Sequence, residues 1–415
     1  MLSRRWAIFT ITCLIFILSQ FYRASVAVIA PDLMADLNLD TNGLSLISAA
    51  FFYAFAIMQI PVALYLDRIG PRLTMTVLSI IGAGGVLIFA LGDSLYMLVI
   101  GRVLLGAGMA CNLMGTLKLI TTWFGPSRFA TLSALVISFG TLGSITATTP
   151  LVLMVEGMGW RATFIAFAIV NFLVATVLFT VVRDAPSATF EESDSKTTHQ
   201  AHDTWQAIKQ LFGQKDYWII SLGTFSRYGV FAAVQALWAG PYLMTALKIA
   251  PVTAGNLLLL MSIGMILGSP AWGYISDALL YSRKIPIYFG LMGKAVILVF
   301  LANLSPGVSV VLLSILFFSF GFVSSSGQIM FAHIKERMPI ESAGTAMTGI
   351  NFFTMAGVAF FLQVLGNIMQ QFYPGESLSP AAFKGAYYFC AAFLVVTTAF
   401  YLLTVETLKS PSLRK

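Results

Sequence analysis

Carboxylates and histidines are missing from the apolar parts of this 415-residue chain. About twelve long hydrophobic stretches can be read along it. By that reading, all 17 Asp and Glu and all three His fall in loops or at helix ends. Four positive charges do lie inside the stretches: Arg23, Arg102, Arg227 and Lys294. A charge near a bilayer centre costs about 2.5–3.5 kcal/mol on insertion scales, so such a residue carries a functional expectation by default. A lipid-embedded cavity with positive charge alone suits something negative.

Charge of either sign is scarce. Charged residues make up 10% of the chain and hydrophobic residues 58%, against about 25% charged in soluble domains. A water-soluble fold could not hide that much apolar surface, so the chain reads as a polytopic, all-α membrane protein. Cysteine is scarce too: Cys13, Cys111 and Cys390 sit in apolar runs without paired or metal-ligand spacing. Free thiols are expected, with no disulfide and no metal site. No nucleophile–base constellation or phosphate loop is present, which argues against an enzyme, and no cofactor is implied. The net charge of +7 is spread over short loops; it reads as membrane topology and excludes nucleic acid as a partner.

A spanning helix needs about 20 mostly apolar residues. On that scale the spans are 7–30, 44–66, 73–92, 95–118, 129–153, 160–182, 217–243, 253–276, 286–304, 308–332, 343–369 and 383–405. Arg4 and Arg5 before an apolar run could pass for a secretory signal, but the run continues through Arg23 to Pro31 without a clean cleavage site. Alternate loops carry the bases: Arg4/Arg5, Arg68/Arg72, Arg128, Arg183 to Lys215, Arg283/Lys284, Lys335/Arg337 and the C-terminal tail. The positive-inside rule therefore places both termini in the cytoplasm, in the inner membrane of a bacterial-type cell.

Segment 184–216 is the one long polar interruption. It separates an N-terminal six-helix bundle, 1–183, from a C-terminal one, 217–415. Within it, Trp205, Ile208, Leu211 and Phe212 fall at helical spacing. They fit either an interfacial amphipathic helix or the start of the seventh span. The halves echo each other, since Asp67 with Arg68 after span two is answered by Asp277 with Arg283 after span eight, 210 residues later. Such a repeat marks transporters built from two six-helix halves.

The loop Asp67-Arg68-Ile-Gly70-Pro71-Arg72 resembles the D-R-x-G-R-R/K loop of the major facilitator superfamily, with Pro71 in place of one base. Arg102-x-x-x-Gly106-x-Gly108 in span four is similar to a second family pattern, and Trp123-Phe124 and Gly159-Trp160-Arg161 to weaker ones. The resemblance covers nearly the whole chain. It implies twelve helices in two pseudo-symmetric bundles and secondary transport by rocker-switch alternation. Span five reads Gly140-Thr-Leu-Gly143 without the G-P-x-x-G-G-like stretch of the drug/proton antiporters, which disfavours that branch.

In the family's architecture the first helix of each half faces a central cavity, which brings Arg23 and Arg227 to mind as an anion-binding pair. The pairing resembles that of the organophosphate/phosphate antiporters. A guanidinium suits carboxylate and phosphate because its planar fork donates two parallel hydrogen bonds. Tyr22 and Tyr228 adjoin the arginines, and Asn112, Gln235 and Gln328 are polar candidates on other cavity helices. The plainer alternatives are arginines that snorkel or bond backbone carbonyls and amides that glue helices together. Lys294 is placed to snorkel towards the cytoplasm, with ligand contact as its other reading. Arg102, Gly106 and Gly108 read as a structural or mechanistic motif.

Asp67 is expected to meet the helix start near Ser342–Thr345, and Asp277 that near Ser127–Arg128, forming with Arg68, Arg72 and Arg128 a latch on helix N-termini. The alternative is a carboxylate neutralised by its own loop arginines. The expected partners are the bilayer and a small anionic substrate, moved by a monomer through exchange or facilitated movement. The rivals are an exporter of a hydrophobic, drug-like compound and a transporter-like ligand sensor.

Overall fold

The computed structural model describes residues 2–184, 212–338 and 340–408. Among the described residues no strand occurs. The chain divides into two compact units, Met1–Ser193 and Asp194–Lys415. The 202–218 stretch read as a possible interfacial helix lies mostly outside the described residues.

Among the described residues ten helices are long and apolar enough to cross a membrane: Arg4–Ala24, Thr41–Val62, Pro71–Leu91, Leu95–Phe124, Thr149–Val181, Pro251–Leu279, Lys284–Ala302, Val310–Arg337, Gly349–Phe372 and Pro380–Tyr401. The remaining two expected spans are also helical but interrupted. The fifth starts in Pro126–Thr146 and ends in the first part of Thr149–Val181, where Gly159 (φ 80°) makes a kink before the sixth. The seventh runs as Lys215–Ala233 and then through two five-residue π turns, Val234–Trp238 and Tyr242–Ala246. Large apolar side chains such as Ile57, Ile60, Phe289, Phe300, Val311 and Ile315 are exposed on the units. That would be an aggregation surface in water and is the lipid face in a bilayer.

Helix starts follow from local chemistry. Asp40 accepts from the Gly43 N–H at 2.7 Å ahead of span two, and Ser379 from the Ala382 N–H at 3.3 Å ahead of span twelve. These side chains satisfy N–H groups that have no partner within the helix. Pro71, Pro251 and Pro380 stand at first helical positions, where the missing N–H costs nothing.

Two spans are longer than the apolar count predicts. Helix four runs past Lys118, where the expected span ended, to Phe124; the Lys118 Nζ donates to the Leu66 carbonyl at 2.6 Å. Helix ten runs to Arg337 and takes in His333 and Glu336. His333 is fully buried, with Nδ1 2.7 Å from the Tyr401 hydroxyl and Nε2 2.9 Å from the Val405 carbonyl. These residues stand at the helix end, as expected, but the helix end itself lies further along the chain than the expected span. There helical hydrogen bonding continues where the run of apolar residues stops. Asp216, counted with the linker, begins the seventh span and is buried against Arg337 at 2.6 Å.

The repeat extends to the caps. Past span six, Asp184 accepts from the Arg72 N–H at 2.7 Å, at the start of span three. Past span twelve, Glu406 accepts from the Arg283 and Lys284 N–H groups at 2.8 and 3.2 Å, at the start of span nine. In each half a carboxylate closes the unit by capping a helix N-terminus, where the dipole favours negative charge. Burial alone would raise the Glu406 carboxyl, but the Ser282 hydroxyl and these N–H groups hold it below the usual carboxylate range. Its stabilising contribution is therefore present at neutral pH and is lost as acid titrates the folded carboxyl. Glu406→Gln is expected to cost about 1 kcal/mol after allowance for partial exposure. That is about 2–4 °C in a unit of this size. Melting curves at two pH values check it: the Gln variant loses the part of the acid sensitivity due to this group.

Candidate functional site

In the N-terminal unit the first span breaks beside its charge. Helix Leu2–Ala24 has Arg23 in its last turn, and a second helix, Val26–Leu37, follows at once. Arg23 is half-buried with its guanidinium carbon 4.3 Å from the Phe55 ring centroid, on span two. Tyr22 is fully buried and its hydroxyl donates to the Phe167 carbonyl at 3.0 Å, which commits it within its own half. Arg102 is buried where spans one, two and four meet. Its Nε and Nη1 donate to the carbonyls of Ile47 (3.3 Å) and Tyr22 (3.1 Å), and it lies 4.7 Å from the Phe51 ring centroid. Gly106 allows that approach, because a Cβ there would stand 2.1 Å from the Phe51 carbonyl oxygen; at Gly108 one would stand 2.4 Å from the Gly82 nitrogen. Span four breaks at Ala110–Cys111, and Asn112 just beyond is fully buried, donating to the Met109 sulfur at 3.3 Å.

The C-terminal unit holds the denser cluster. Arg227 is 2% exposed and its Nη1 donates to the Ser324 carbonyl at 2.9 Å. Ser324 ends helix Val310–Ser324, after which span ten tightens into a 3₁₀ turn, Ser325–Gln328. Gly327 in that turn lies against the arginine stem: a Cβ would stand 2.1 Å from the Arg227 Cδ. Tyr228 is half-buried, with its ring centroid 5.5 Å from the guanidinium. Gln235 donates to the Ser262 hydroxyl at 3.0 Å, and Gln328 is exposed at the end of the 3₁₀ turn.

Lys294 departs from its snorkelling expectation. It is 0% exposed, and its Nζ donates to the Arg227 carbonyl at 2.6 Å between the Phe231 and Phe320 rings. Two basic groups thus share one apolar environment. Among the described residues no carboxylate pairs with Arg102, Arg227 or Lys294, and no group of three or more metal-ligating side chains occurs. Removing such a charge from water costs several kcal/mol, which a bound anion offsets more fully than carbonyl oxygens do. Helix irregularities next to these cations, at 110–111, 234–238 and 325–328, are of the kind that gather at functional sites.

Residues 12–362 match the sequence profile of the Major Facilitator Superfamily. The chain belongs to that superfamily. Among curated relatives, a probable galactarate/D-glucarate transporter of Bacillus subtilis (strain 168) is 26% identical over 100% of this chain and 94% of that protein. A hexuronate transporter of Escherichia coli (strain K12) is 26% identical, covering 87% of each. A probable sulfoacetate transporter of Cupriavidus necator is 24% identical over 83% and 81%. Of solved structures, a D-xylose-proton symporter superposes with TM-score 0.77 at 18% identity, over 97% and 98% of the two chains. A bacterial homologue of the lysosomal transporter Spinster gives 0.76 at 17%, over 96% of each. These superpositions show the fold. The protein is a multi-pass membrane transporter and not an enzyme.

In this superfamily member the loop residues of the expected latch are only partly described. The side chain of Asp67 and those of 341–345 lie outside the described residues; Arg68 and Arg128 are exposed. Arg72 is turned back on its own half, with Nε donating to the Phe179 carbonyl at 2.9 Å. Asp277 pairs with Arg283 of its own loop, and Arg283 also holds Glu336 at 2.7 Å. On the opposite side Asp36 binds Trp160 Nε1 at 2.8 Å and pairs with Arg161. The indole N–H and then the guanidinium hold its carboxyl below the usual range. Asp32, Asp93 and Glu156 are exposed on the unit. Sequence reasoning missed the Lys294–Arg227 contact and the inclusion of His333. The longer helical pattern through Ile329, Met330 and Ile334 was the available signal for His333.

Proposed function

We propose that this protein carries a small organic anion of the sugar-acid type across the inner membrane of a bacterial-type cell. Arg227 and Arg23 recognise the carboxylate, and Tyr228 and Gln328 contact the remainder of the molecule. The observation that carries the reading is a buried guanidinium beside a buried lysine amino group, with only carbonyl oxygens as described partners. The transport names of the relatives (galactarate or D-glucarate, hexuronate, sulfoacetate) support it, because all are anions. Movement proceeds by rocker-switch alternation of two halves, 1–183 and 217–415, in a monomer with both termini in the cytoplasm. Asp67 acts as the latch, whereas Asp277 is held by Arg283 of its own loop. Exchange against an internal anion, or facilitated movement down a gradient, requires no further group.

A thermal-shift screen tests the class of ligand. D-Glucarate, galactarate, D-glucuronate and sulfoacetate should include at least one compound that raises the melting temperature in a saturable way. Stabilisation confined to lipophilic cations would instead favour the exporter.

A further inference from the structure

Lys294 has no part in the anion contacts proposed above, yet it is one of the most deeply buried charges in the chain. Its Nζ is 0% exposed and donates to the backbone carbonyl of Arg227, the residue proposed to hold the anion. The groups that face it can be followed helix by helix. Span seven contributes the Arg227 guanidinium and the Phe231 ring, span ten the Phe320 ring, and span twelve the Cys390 thiol. Among the described residues none of its partners is a carboxylate or a histidine. The amino group therefore sits beside a permanent cation with no counter-ion.

We propose that Lys294 is the proton-carrying group of this transporter, gaining a proton as the anion binds at Arg227 and giving it up as the anion leaves. This rests on the anion-transport reading above. The chemistry balances: the neutral amine takes one proton from the aqueous phase on the side of entry, becomes an ammonium, and returns that proton on the side of release. No oxidant or co-reactant is needed. Two neighbouring positive charges in an apolar setting disfavour each other, and an anion on the guanidinium reverses the sign of the field at Nζ. The coupling is reciprocal, so whatever binding the anion does for the proton, the proton does for the anion. The hydrogen bond to the Arg227 carbonyl can be donated by amine or ammonium alike, so gain and loss of the proton need not break the helix contact.

The helices beside Lys294 offer a way to open it to water. Span seven continues after Arg227 into the π turn Val234–Trp238, and span ten is 3₁₀ at Ser325–Gln328. Both are places where the regular ladder is interrupted and a helix can bend. Intramembrane proton relays usually employ Asp, Glu or His; a buried lysine can serve because its protonation responds readily to its surroundings.

The test uses the full-length protein in proteoliposomes with labelled D-glucarate, comparing wild type, Lys294→Arg and Lys294→Met. Arginine cannot release its proton and methionine cannot take one up. An inward proton gradient of one pH unit should raise wild-type accumulation towards about tenfold for one coupled proton. Both variants should lose the stimulation, whatever glucarate counterflow they keep without a gradient. Gradient-driven accumulation by Lys294→Arg equal to wild type would overturn the proposal. Should both variants fail to fold, wild-type protein in weakly buffered detergent decides alone: glucarate addition should take up protons from solution, and no uptake refutes the coupling. Wild type that exchanges glucarate yet ignores the gradient removes the proton role and leaves the anion reading standing. Wild type that moves no glucarate removes both.

Discussion

Arg227→Gln is expected to abolish anion transport and to leave a folded protein. The guanidinium can offer a carboxylate two charge-assisted hydrogen bonds, each worth about 1.5–3 kcal/mol. Losing both costs about 3–6 kcal/mol, at least a hundredfold in apparent affinity. The fold survives because the bond from Lys294 goes to the backbone carbonyl of residue 227, which any side chain retains. What is lost in structure is one bond to the Ser324 carbonyl, and a buried charge with incomplete compensation goes with it. Arg227→Lys should fall between, since an ammonium supplies a point charge without the planar fork. Uptake assays paired with melting curves check both parts: transport falls below detection while the melting temperature changes little.

Gly327→Ala should weaken the same anion without touching a charge. A Cβ at this position would stand 2.1 Å from Cδ, 2.3 Å from Nε and 2.8 Å from Cζ of Arg227. Nothing can remain that close, so the buried guanidinium has to shift and its bond to Ser324 is strained or broken. Misplacement by about 1 Å in a positioned charge can cost on the order of a hundredfold, so a loss of about ten- to a hundredfold is expected. Helix propensity runs the other way, because alanine is favoured over glycine by about 1 kcal/mol. The pattern to look for is a weakened substrate response with a modest loss of thermal stability, since overpacking and the strained bond outweigh the propensity gain. A Gly327→Ala protein with wild-type affinity would mean that the arginine position seen here is not the binding one.

The sequence made the architecture legible because bilayer physics leaves few alternatives. Twelve apolar runs, alternate basic loops and an acidic residue repeated at Asp67 and Asp277 suffice to read two six-helix halves. Arg227 was legible as a buried charge for the same reason, while Arg23 is half-buried. The depth of Lys294 was not, because a lone lysine a third of the way into a span usually reaches an interface. What turns it inward is close packing of spans nine and ten. Gly290, one turn before Lys294, faces Ser326 so closely that a Cβ would fall 1.7 Å from the serine oxygen. Such contact depends on which glycine meets which neighbour, and no single-helix pattern contains it. His333 was misplaced for a different reason: its burial comes from Tyr401 and Val405, far along the chain. Tyr22 lies next to its arginine in sequence, yet its hydroxyl goes to Phe167 in span six.

The most direct test of the central claim is counterflow in proteoliposomes preloaded with unlabelled D-glucarate. The account predicts transient uptake of labelled D-glucarate, unaffected by the uncharged polyol D-glucitol or by a lipophilic cation, and absent in Arg227→Gln. Counterflow that D-glucitol or the cation suppresses as well as the sugar acid does, or that persists in Arg227→Gln, would contradict it.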